Sequence, residues 1–170
     1  MRFLILLFTV LFVTSCATSS YTSPLVRAGH QVDLITVDKS DRILTLWEDG
    51  KELKSYKILA FGANPIGHKQ YEGDERTPEG DYFISRKNPS KKFHKFLNIS
   101  YPNEDDKKRA RAMGKSPGGF VGIHGDKGGL EGFFDRFDKN WTDGCITVRN
   151  HEIDEIYQLV PVGARIIITP

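Results

Sequence analysis

The segment TDGCITV, residues 142–148, joins a Gly-Cys pair to a short apolar run that includes β-branched residues. Similar short runs recur at residues 32–37, 43–47, 53–61, 82–85, 96–101, 120–123 and 165–169. The Asp49-Gly50 pair between the second and third of these runs is typical of a tight hairpin. Many short strands with few helices predict a mainly β domain, a β-sandwich or closed β-fold with one or two short helices.

Two segments favour helices within this pattern. Residues 105–113 are charged and helix-compatible, and the second segment begins at Asn150, a residue type common at helix N-caps. Ile153, Ile156, Tyr157 and Val160 follow at helical spacing, so we expect this helix to pack one face on the sheet. Residues 62–80 and 125–141 are predicted to be long loops, and residues 88–90 a turn.

The composition indicates one folded domain without a nucleic-acid partner. Of the 170 residues, 39% are hydrophobic and 27% are charged, which suits a globular protein with a core. The 24 Lys and Arg residues nearly balance the 22 Asp and Glu residues, for a net charge of +2. Phosphate binding depends on clustered cations, so no nucleic-acid binding is expected.

The first residues have the pattern of an export signal. Arg2 precedes an apolar run over residues 3–13, which is shorter than the ~18 residues that a membrane-spanning helix needs. Small residues then precede Cys16, and residues 13–16 resemble the lipobox of bacterial lipoproteins. We therefore predict a signal peptide over residues 1–15, lipidation of Cys16, a flexible tether over residues 16–31 and a folded domain over residues 32–170.

This pattern implies an exported protein that a lipid holds to the membrane on the periplasmic face. Ala17 after the cysteine implies the outer membrane if the cell is Gram-negative. The alternative is an ordinary signal peptide with an incidental Cys16. In both cases Cys145 would be a lone cysteine in an oxidising compartment, where structural cysteines normally come in pairs.

Cys145 has the sequence surroundings of a nucleophile. Gly144 before it permits a sharp turn that exposes amide N–H groups, which would hold the oxyanion formed when a thiolate attacks an amide. The thiol needs a base, and His124 at the end of a predicted strand is the natural candidate. The alternatives are an inert buried thiol, His151 as a rival base, or a His124–Cys145–His151 metal site, for which the chain has no typical ligand spacing.

Several motifs resemble those of L,D-transpeptidase (YkuD-like) catalytic domains. The sequence Ile123-His124-Gly125, a long spacer and then residues 142–146 resemble the His-Gly and Ser/Thr-x-Gly-Cys signature of that family. Residues 77–80, Thr-Pro-Glu-Gly, and the final run at residues 163–168 also resemble segments of these domains. The likeness extends from about residue 32 to residue 169.

This resemblance implies a β-rich fold and a cysteine acyl transfer on peptidoglycan stem peptides. Cys145 would be the nucleophile and His124 the general base and acid. The carbonyl of Gly125 would orient the imidazole, and the amides of Gly144 and Cys145 would form the oxyanion site. Thr142 and Asp143 are further candidates for substrate contacts. No metal or organic cofactor is implied, and envelope lipoproteins are possible partners beside the stem peptides.

The chain departs from the family pattern at two positions. Many relatives have a second histidine where this chain has Asp143, and many have an arginine where it has Thr147. An arginine there would pair with a substrate carboxylate, and Arg149 is offset by two residues. The Thr-Asp-Gly-Cys form resembles a subgroup that includes hydrolases.

Three functions remain open from the sequence. The first is an L,D-transpeptidase that cross-links stems or attaches envelope proteins, with consequences for cell-wall organisation and cell shape. The second is a hydrolase of the same chemistry, either an L,D-carboxypeptidase or an amidase that releases lipoproteins linked to peptidoglycan. The third is a non-catalytic lipoprotein that binds peptidoglycan. The loops at 62–80 and 126–141 are expected to shape the cleft, with Phe133, Phe134, Phe137 and Trp141 lining it or packing the loop.

Overall fold

The computed structural model describes residues 22–127 and 140–170. In this part of the chain the strands are β1 (Leu34–Asp38), β2 (Ile43–Glu48), β3 (Lys51–Lys57), β4 (Gly80–Ser90), β5 (His94–Ile99), β6 (Gly122–His124), β7 (Ile146–Thr147) and β8 (Arg165–Thr169). The helices are α1 (Pro24–Arg27), α2 (Glu104–Ala112) and α3 (Asn150–Leu159). The mainly β class predicted from the sequence is confirmed, and the described residues contain three short helices.

The strands follow the order β3-β2-β1-β8-β4-β5-β6-β7. Neighbouring strands are antiparallel except for β1 with β8 and β6 with β7, which are parallel. The segment after β3 also reaches the opposite edge: Leu59 donates its amide to the carbonyl of Thr147, and Ala63 donates to that of Thr142, at 2.8 and 2.9 Å. These bonds link the two ends of the sheet, which matches the expectation of a closed β-fold.

The core lies between the curved sheet and α3. Side chains from β1, β2, β4 to β8 and α3 are fully or almost fully buried there, among them Ile35, Leu44, Ile123, Ile146, Ile153, Ile156 and Ile166. The predicted helical face is therefore found, with Val160 buried at the helix end. Arg149, rather than Asn150, is the N-cap of α3, and its amide is bound by Glu152 Oε2 at 2.8 Å.

Part of the predicted tether folds against the domain. Ser23 is buried and caps α1, since its Oγ accepts the amide of Leu25 at 3.2 Å, and its hydroxyl donates to the carboxylate of Glu155 in α3. Leu25 and Val26 pack on the core. Residues 23–27 are therefore not free chain, because they satisfy a capping site and bury apolar area. The predicted signal peptide and Cys16 lie outside the described residues, and no described helix is long and apolar enough to cross a bilayer.

Two predicted strand boundaries are corrected by the structure. The run at 53–61 leaves the ladder after Lys57, since the following residues pair with β7 instead. Residues 88–90 continue β4 to Ser90 rather than making a turn. Pro89 is tolerated there because a proline without an amide hydrogen fits near the end of a strand.

Candidate functional site

A cleft of about 560 Å³ opens over β5, β6 and the turn before β7. It contains both Cys145 and His124, the two residues that the sequence singled out. The full lining is Arg86, Asn88, Pro89, Ser90, Lys92, Phe93, Phe96, Asn98, Gly119, Phe120, Val121, His124, Lys127, Trp141, Thr142, Asp143 and Cys145.

Cys145 is presented by a tight turn that only glycine permits at the preceding position. Gly144 has a φ of +130°, and a Cβ there would lie 2.5 Å from the carbonyl oxygen of Arg76. A side chain at Gly144 would therefore meet both backbone strain and a steric clash. Cys145 as a whole residue is partly exposed, and its thiol donates to the carbonyl of Phe120, with sulfur and oxygen 3.6 Å apart.

The amide of Gly144 is not free to bind an oxyanion, which corrects the sequence prediction. It donates to Thr142 Oγ1 at 3.1 Å, and the same hydroxyl donates to the carbonyl of Cys145 at 2.8 Å. Thr142 is buried and holds the turn closed, so its hydroxyl is not available for substrate. Within residues 22–127 and 140–170 the amide of Cys145 has no partner, and it is left as the backbone donor beside the sulfur.

A buried ion pair supports this turn from beneath. Lys69 Nζ donates to Asp74 Oδ1 at 2.9 Å and to the carbonyl of Asp143 at 3.3 Å. The two side chains are only 4% and 5% exposed, so the pair is shielded from water. Asp74 also accepts the amides of Gln70 and Arg76, at 2.6 and 3.1 Å. The loop that carries the carbonyl of Arg76 against Gly144 is therefore fixed by the same carboxylate.

His124 ends β6 and is 1% exposed. Its Nδ1 lies 2.7 Å from the carbonyl oxygen of Gly125. A carbonyl only accepts hydrogen bonds, so Nδ1 carries the proton of the neutral ring and Nε2 is left as an acceptor. A Cβ on Gly125 would lie 3.0 Å from Cγ2 of the buried Ile153 and 3.1 Å from the carbonyl oxygen of Phe93, so a glycine fits best between the histidine and the start of α3.

Aromatic rings enclose the imidazole. Phe93 and Phe96 lie with their ring centroids 4.3 and 5.4 Å from that of His124, and Trp141 lies at 5.8 Å. Phe93 also stacks on Trp141 at 6.3 Å. Trp141 thus both lines the cleft and packs on its neighbours, whereas Phe133, Phe134 and Phe137 lie outside the described residues.

The burial of both groups shifts their protonation. Burial lowers the pKa of His124 to about 4, and Lys127 and Lys92 add to the lowering, while the bond to Gly125 opposes it. Burial also raises the pKa of Cys145 to about 11, although a backbone bond from Gly122 and the charge of Lys69 oppose the rise. At neutral pH the resting site therefore holds an uncharged thiol and an uncharged imidazole.

The remaining candidates from the sequence are Asp143, His151, Thr147 and Arg149, and of these only Asp143 lines the cleft. Asp143 lines the cleft and is exposed. His151 is exposed in the first turn of α3 and does not line the cleft, which removes it as the rival base. Among the described residues, no group of three His, Cys, Asp or Glu side chains could hold a metal ion. Thr147 is fully buried, and Arg149 pairs with Glu152 at 3.8 Å.

Three kinds of site residue were missed by the sequence interpretation. Lys69 lies in a predicted loop, and only its burial beside Asp143 distinguishes it from a surface lysine. Arg86 lies in β4 and lines the cleft, although nothing in the strand pattern indicated that it would. Phe93 and Phe96 come from the β4–β5 hairpin and pack against the imidazole of His124. The Thr77-Pro78 motif gave a partial signal, since Thr77 is fully buried and its hydroxyl accepts the amide of Gly62 at 3.2 Å.

Comparisons with known proteins agree with this geometry. The family model described as YkuD, the L,D-transpeptidase catalytic domain, matches residues 32–168. The Escherichia coli K12 protein named "Putative L,D-transpeptidase YafK" is 32% identical over 162 residues, which cover 89% of this chain and 58% of that protein.

Solved structures give the same result. The helical cell shape determining protein Pgp2 from Campylobacter jejuni superposes with a TM-score of 0.64 at 29% identity, over 82% of this chain and 48% of that one. An L,D-transpeptidase from Mycobacterium smegmatis superposes with a TM-score of 0.53 over 81% of this chain and 58% of that one, and its 17% identity shows the fold alone. The chain thus spans about half the length of these relatives.

The buried ion pair can be tested by stability. Replacing Lys69 with methionine leaves the Asp74 carboxylate buried without its counter-charge, and we expect the free energy of unfolding to fall by about 3–5 kcal/mol. Lys107→Met is the matched control, since Lys107 pairs with Glu104 on the exposed face of α2 and its loss should cost less than about 1 kcal/mol. Equal losses in urea unfolding would contradict the role assigned to Lys69.

The lowered pKa of His124 predicts a pH-dependent stability. Between pH 6.5 and pH 4 an unfolded histidine binds a proton that folded His124 does not, so stability is present above this window and is lost as the pH falls through it. Between pH 7 and pH 4.5 the wild type should lose about 2 kcal/mol more than His124→Gln. His151→Gln, at an exposed helix position, is the control and should keep the wild-type pH slope. Parallel slopes for all three proteins would exclude the depressed pKa.

Proposed function

Because this chain belongs to the L,D-transpeptidase catalytic domain family, we propose that it is a cell-envelope cysteine enzyme that acts on peptidoglycan stem peptides through a thioester on Cys145. One observation carries this proposal. The thiol and a neutral imidazole share one cleft, and the carbonyl of Gly125 holds the imidazole in the tautomer whose Nε2 accepts a proton.

The acylation step follows from these groups. His124 Nε2 takes the proton of the Cys145 thiol, and the thiolate attacks the carbonyl carbon that precedes a D-amino acid in the stem. The carbonyl oxygen becomes an oxyanion, which the amide of Cys145 stabilises. The C–N bond then breaks, the imidazolium donates its proton to the leaving amine, and a thioester remains on Cys145.

The deacylation step decides which enzyme this is. An amine from a neighbouring stem or an envelope protein would attack the thioester, give its proton to His124 and restore the thiol, which is transpeptidation. Water in the same position would make the protein an L,D-carboxypeptidase or an amidase. This second candidate is favoured by the Thr-Asp-Gly-Cys form of residues 142–145, which resembles a subgroup that includes hydrolases. The name of the Campylobacter relative supports a consequence for cell shape in either case.

Purified peptidoglycan distinguishes these outcomes. The protein and its Cys145→Ala variant are incubated with sacculi, and the muropeptides are separated and identified by mass spectrometry. New cross-links that need Cys145 indicate a transpeptidase, and shortened stems or released protein indicate a hydrolase. The Cys145→Ala variant should convert muropeptides at least about 1,000-fold more slowly than the wild type, while its thermal unfolding midpoint stays the same. No Cys145-dependent change on any of these substrates would contradict the proposal and favour a binding lipoprotein.

We also propose that the protein is exported and lipidated at Cys16, on the support of the lipobox-like residues 13–16. Cells fed labelled palmitate should incorporate label into the wild-type protein and into Cys145→Ala, but not into Cys16→Ser. The Cys145 variant is the matched control because it removes the other cysteine. Equal labelling of the two variants, or no labelling of the wild type, would contradict lipidation at Cys16.

A further inference from the structure

Arg86 lies on the strand face that forms the floor of the cleft. It is the register partner of Asn98 on β5, and Asn98 is in turn the partner of Gly122 on β6. Neighbouring strands are about 4.8 Å apart, so this row of three residues spans about 10 Å. At its far end the backbone of Gly122 lies close enough to the sulfur of Cys145 to lower the pKa of the thiol. An extended arginine side chain can cover much of the distance between its own strand and the reacting atoms.

A β-bulge turns Arg86 toward the cleft. Tyr82 and Ile84 are buried in the core, and strict alternation along β4 would send residue 86 to the same side. The register with β5 shifts between Ile84 and Arg86, which leaves Ser85 as an extra residue. An inserted residue moves the following side chains to the opposite face, and bulges of this kind re-aim side chains beside active sites. The cleft therefore gains a cation that the sequence alternation would have buried.

The guanidinium is available to a ligand. The side chain of Arg86 is exposed, and its guanidinium has no hydrogen-bond or ion-pair partner among residues 22–127 and 140–170. The other lining cations are engaged with rings: Lys92 lies 5.2 Å from the centroid of Phe93, and Lys127 lies 4.4 Å from that of Trp141. Arg86 is thus a positive charge at the cleft without an internal counter-charge in the described structure.

Asn98, the register partner of Arg86, supplies an amide donor beside the guanidinium. Asn98 is 8% exposed, and its Oδ1 accepts from Asn88 Nδ2 at 3.0 Å. This bond orients the amide so that Asn98 Nδ2, which has no partner within the described ranges, is left for the cleft that the residue lines. A planar guanidinium and a neighbouring N–H donor together suit the two oxygens of a carboxylate.

The position where the family often carries an arginine cannot serve this purpose here. Thr147 is fully buried and does not line the cleft, and its short uncharged side chain supplies no cation there. Arg149 lies at the N-terminus of α3 beside Glu152, outside the cleft lining. Recognition of a carboxylate on the acyl-donor stem peptide therefore needs a cation at another position.

We propose that Arg86, with Asn98 beside it, binds a carboxylate of the stem peptide whose carbonyl Cys145 attacks. Arg86 would thus pair with the substrate carboxylate, as an arginine at the position of Thr147 does in many relatives. This inference rests on the proposed function. The carboxylate is either the C-terminal one of the leaving D-amino acid or the side-chain one of the stem diamino acid. Both have the same chemistry, and the peptides used in the test separate them.

Three synthetic stem tetrapeptides provide the test. The first has all its carboxylates free, the second has a C-terminal carboxamide, and the third has a carboxamide on the diamino acid. We expect Arg86→Ala to lower kcat/KM on the free peptide by about 10- to 100-fold, and to have no effect on the peptide whose recognised carboxylate is blocked. Arg86→Lys should have a kcat/KM between those of the wild type and Arg86→Ala, since lysine keeps the positive charge but not the planar pair of N–H donors of the guanidinium. Arg111→Ala, an exposed arginine of α2 outside the cleft, is the matched control and should behave as wild type.

Binding gives a second readout that does not need turnover. In the Cys145→Ala background, calorimetry should show that Arg86→Ala weakens binding of the free peptide but not of one blocked peptide. Equal losses on all three peptides, or no loss, would overturn the assignment of Arg86. A wild type with no Cys145-dependent turnover would instead refute the proposed function, and the binding data would still decide the role of Arg86.

Discussion

The parallel pairing of β6 with β7 is the constraint on which the site depends. It aligns Ile123 with Ile146 and His124 with Thr147, so two very short strands bring the histidine and the turn before Ile146 side by side. Both isoleucines are fully buried, and the pairing is therefore held by the core rather than by the few backbone bonds that two short strands can make. The segment after β3 adds bonds to Thr147 and closes this edge.

The electrostatics of the cleft follow from this burial. Aromatic rings and the core remove water from His124, so its charged form is disfavoured, and the same burial disfavours the thiolate. An ion pair of thiolate and imidazolium would stabilise both charged forms at once, and it forms only when the proton passes between them. Lys69 contributes a fixed positive charge beneath the turn and lowers the cost of the thiolate. The Cys145 thiol and the His124 imidazole are thus both uncharged at rest, and in the proposed mechanism the thiol reacts only as its proton passes to the imidazole.

The sequence predicts the groups that local motifs specify and misses those that distant segments supply. The β-rich class, Cys145 and His124 could be predicted because short apolar runs, a turn and a strand end each favour particular residue types, whereas Gly125 was predicted only through the family resemblance. The amide of Gly144 was misassigned because the competing acceptor, Thr142 Oγ1, depends on how the turn closes. Lys69 could not be found, since a lysine in a loop becomes a buried partner of Asp74 only after folding. The bulge at Ser85 left no signal in the alternation of β4.

That bulge places the proposed carboxylate contact on a different strand from the proposed nucleophile and base. The proposed nucleophile and base are positioned by the buried strands β6 and β7 and by a turn in which Thr142 is buried and Gly144 leaves no room for a side chain. The face of β4 and β5 is different, because Arg86 is exposed and one inserted residue changes which side chain it presents. A substitution on this face would therefore leave the Cys145 turn in place, and under the proposed role of Arg86 the protein would not need a cation at Thr147. The proposed chemistry and the proposed carboxylate contact lie on separate strands, so a departure at one position of the family motif would not remove both.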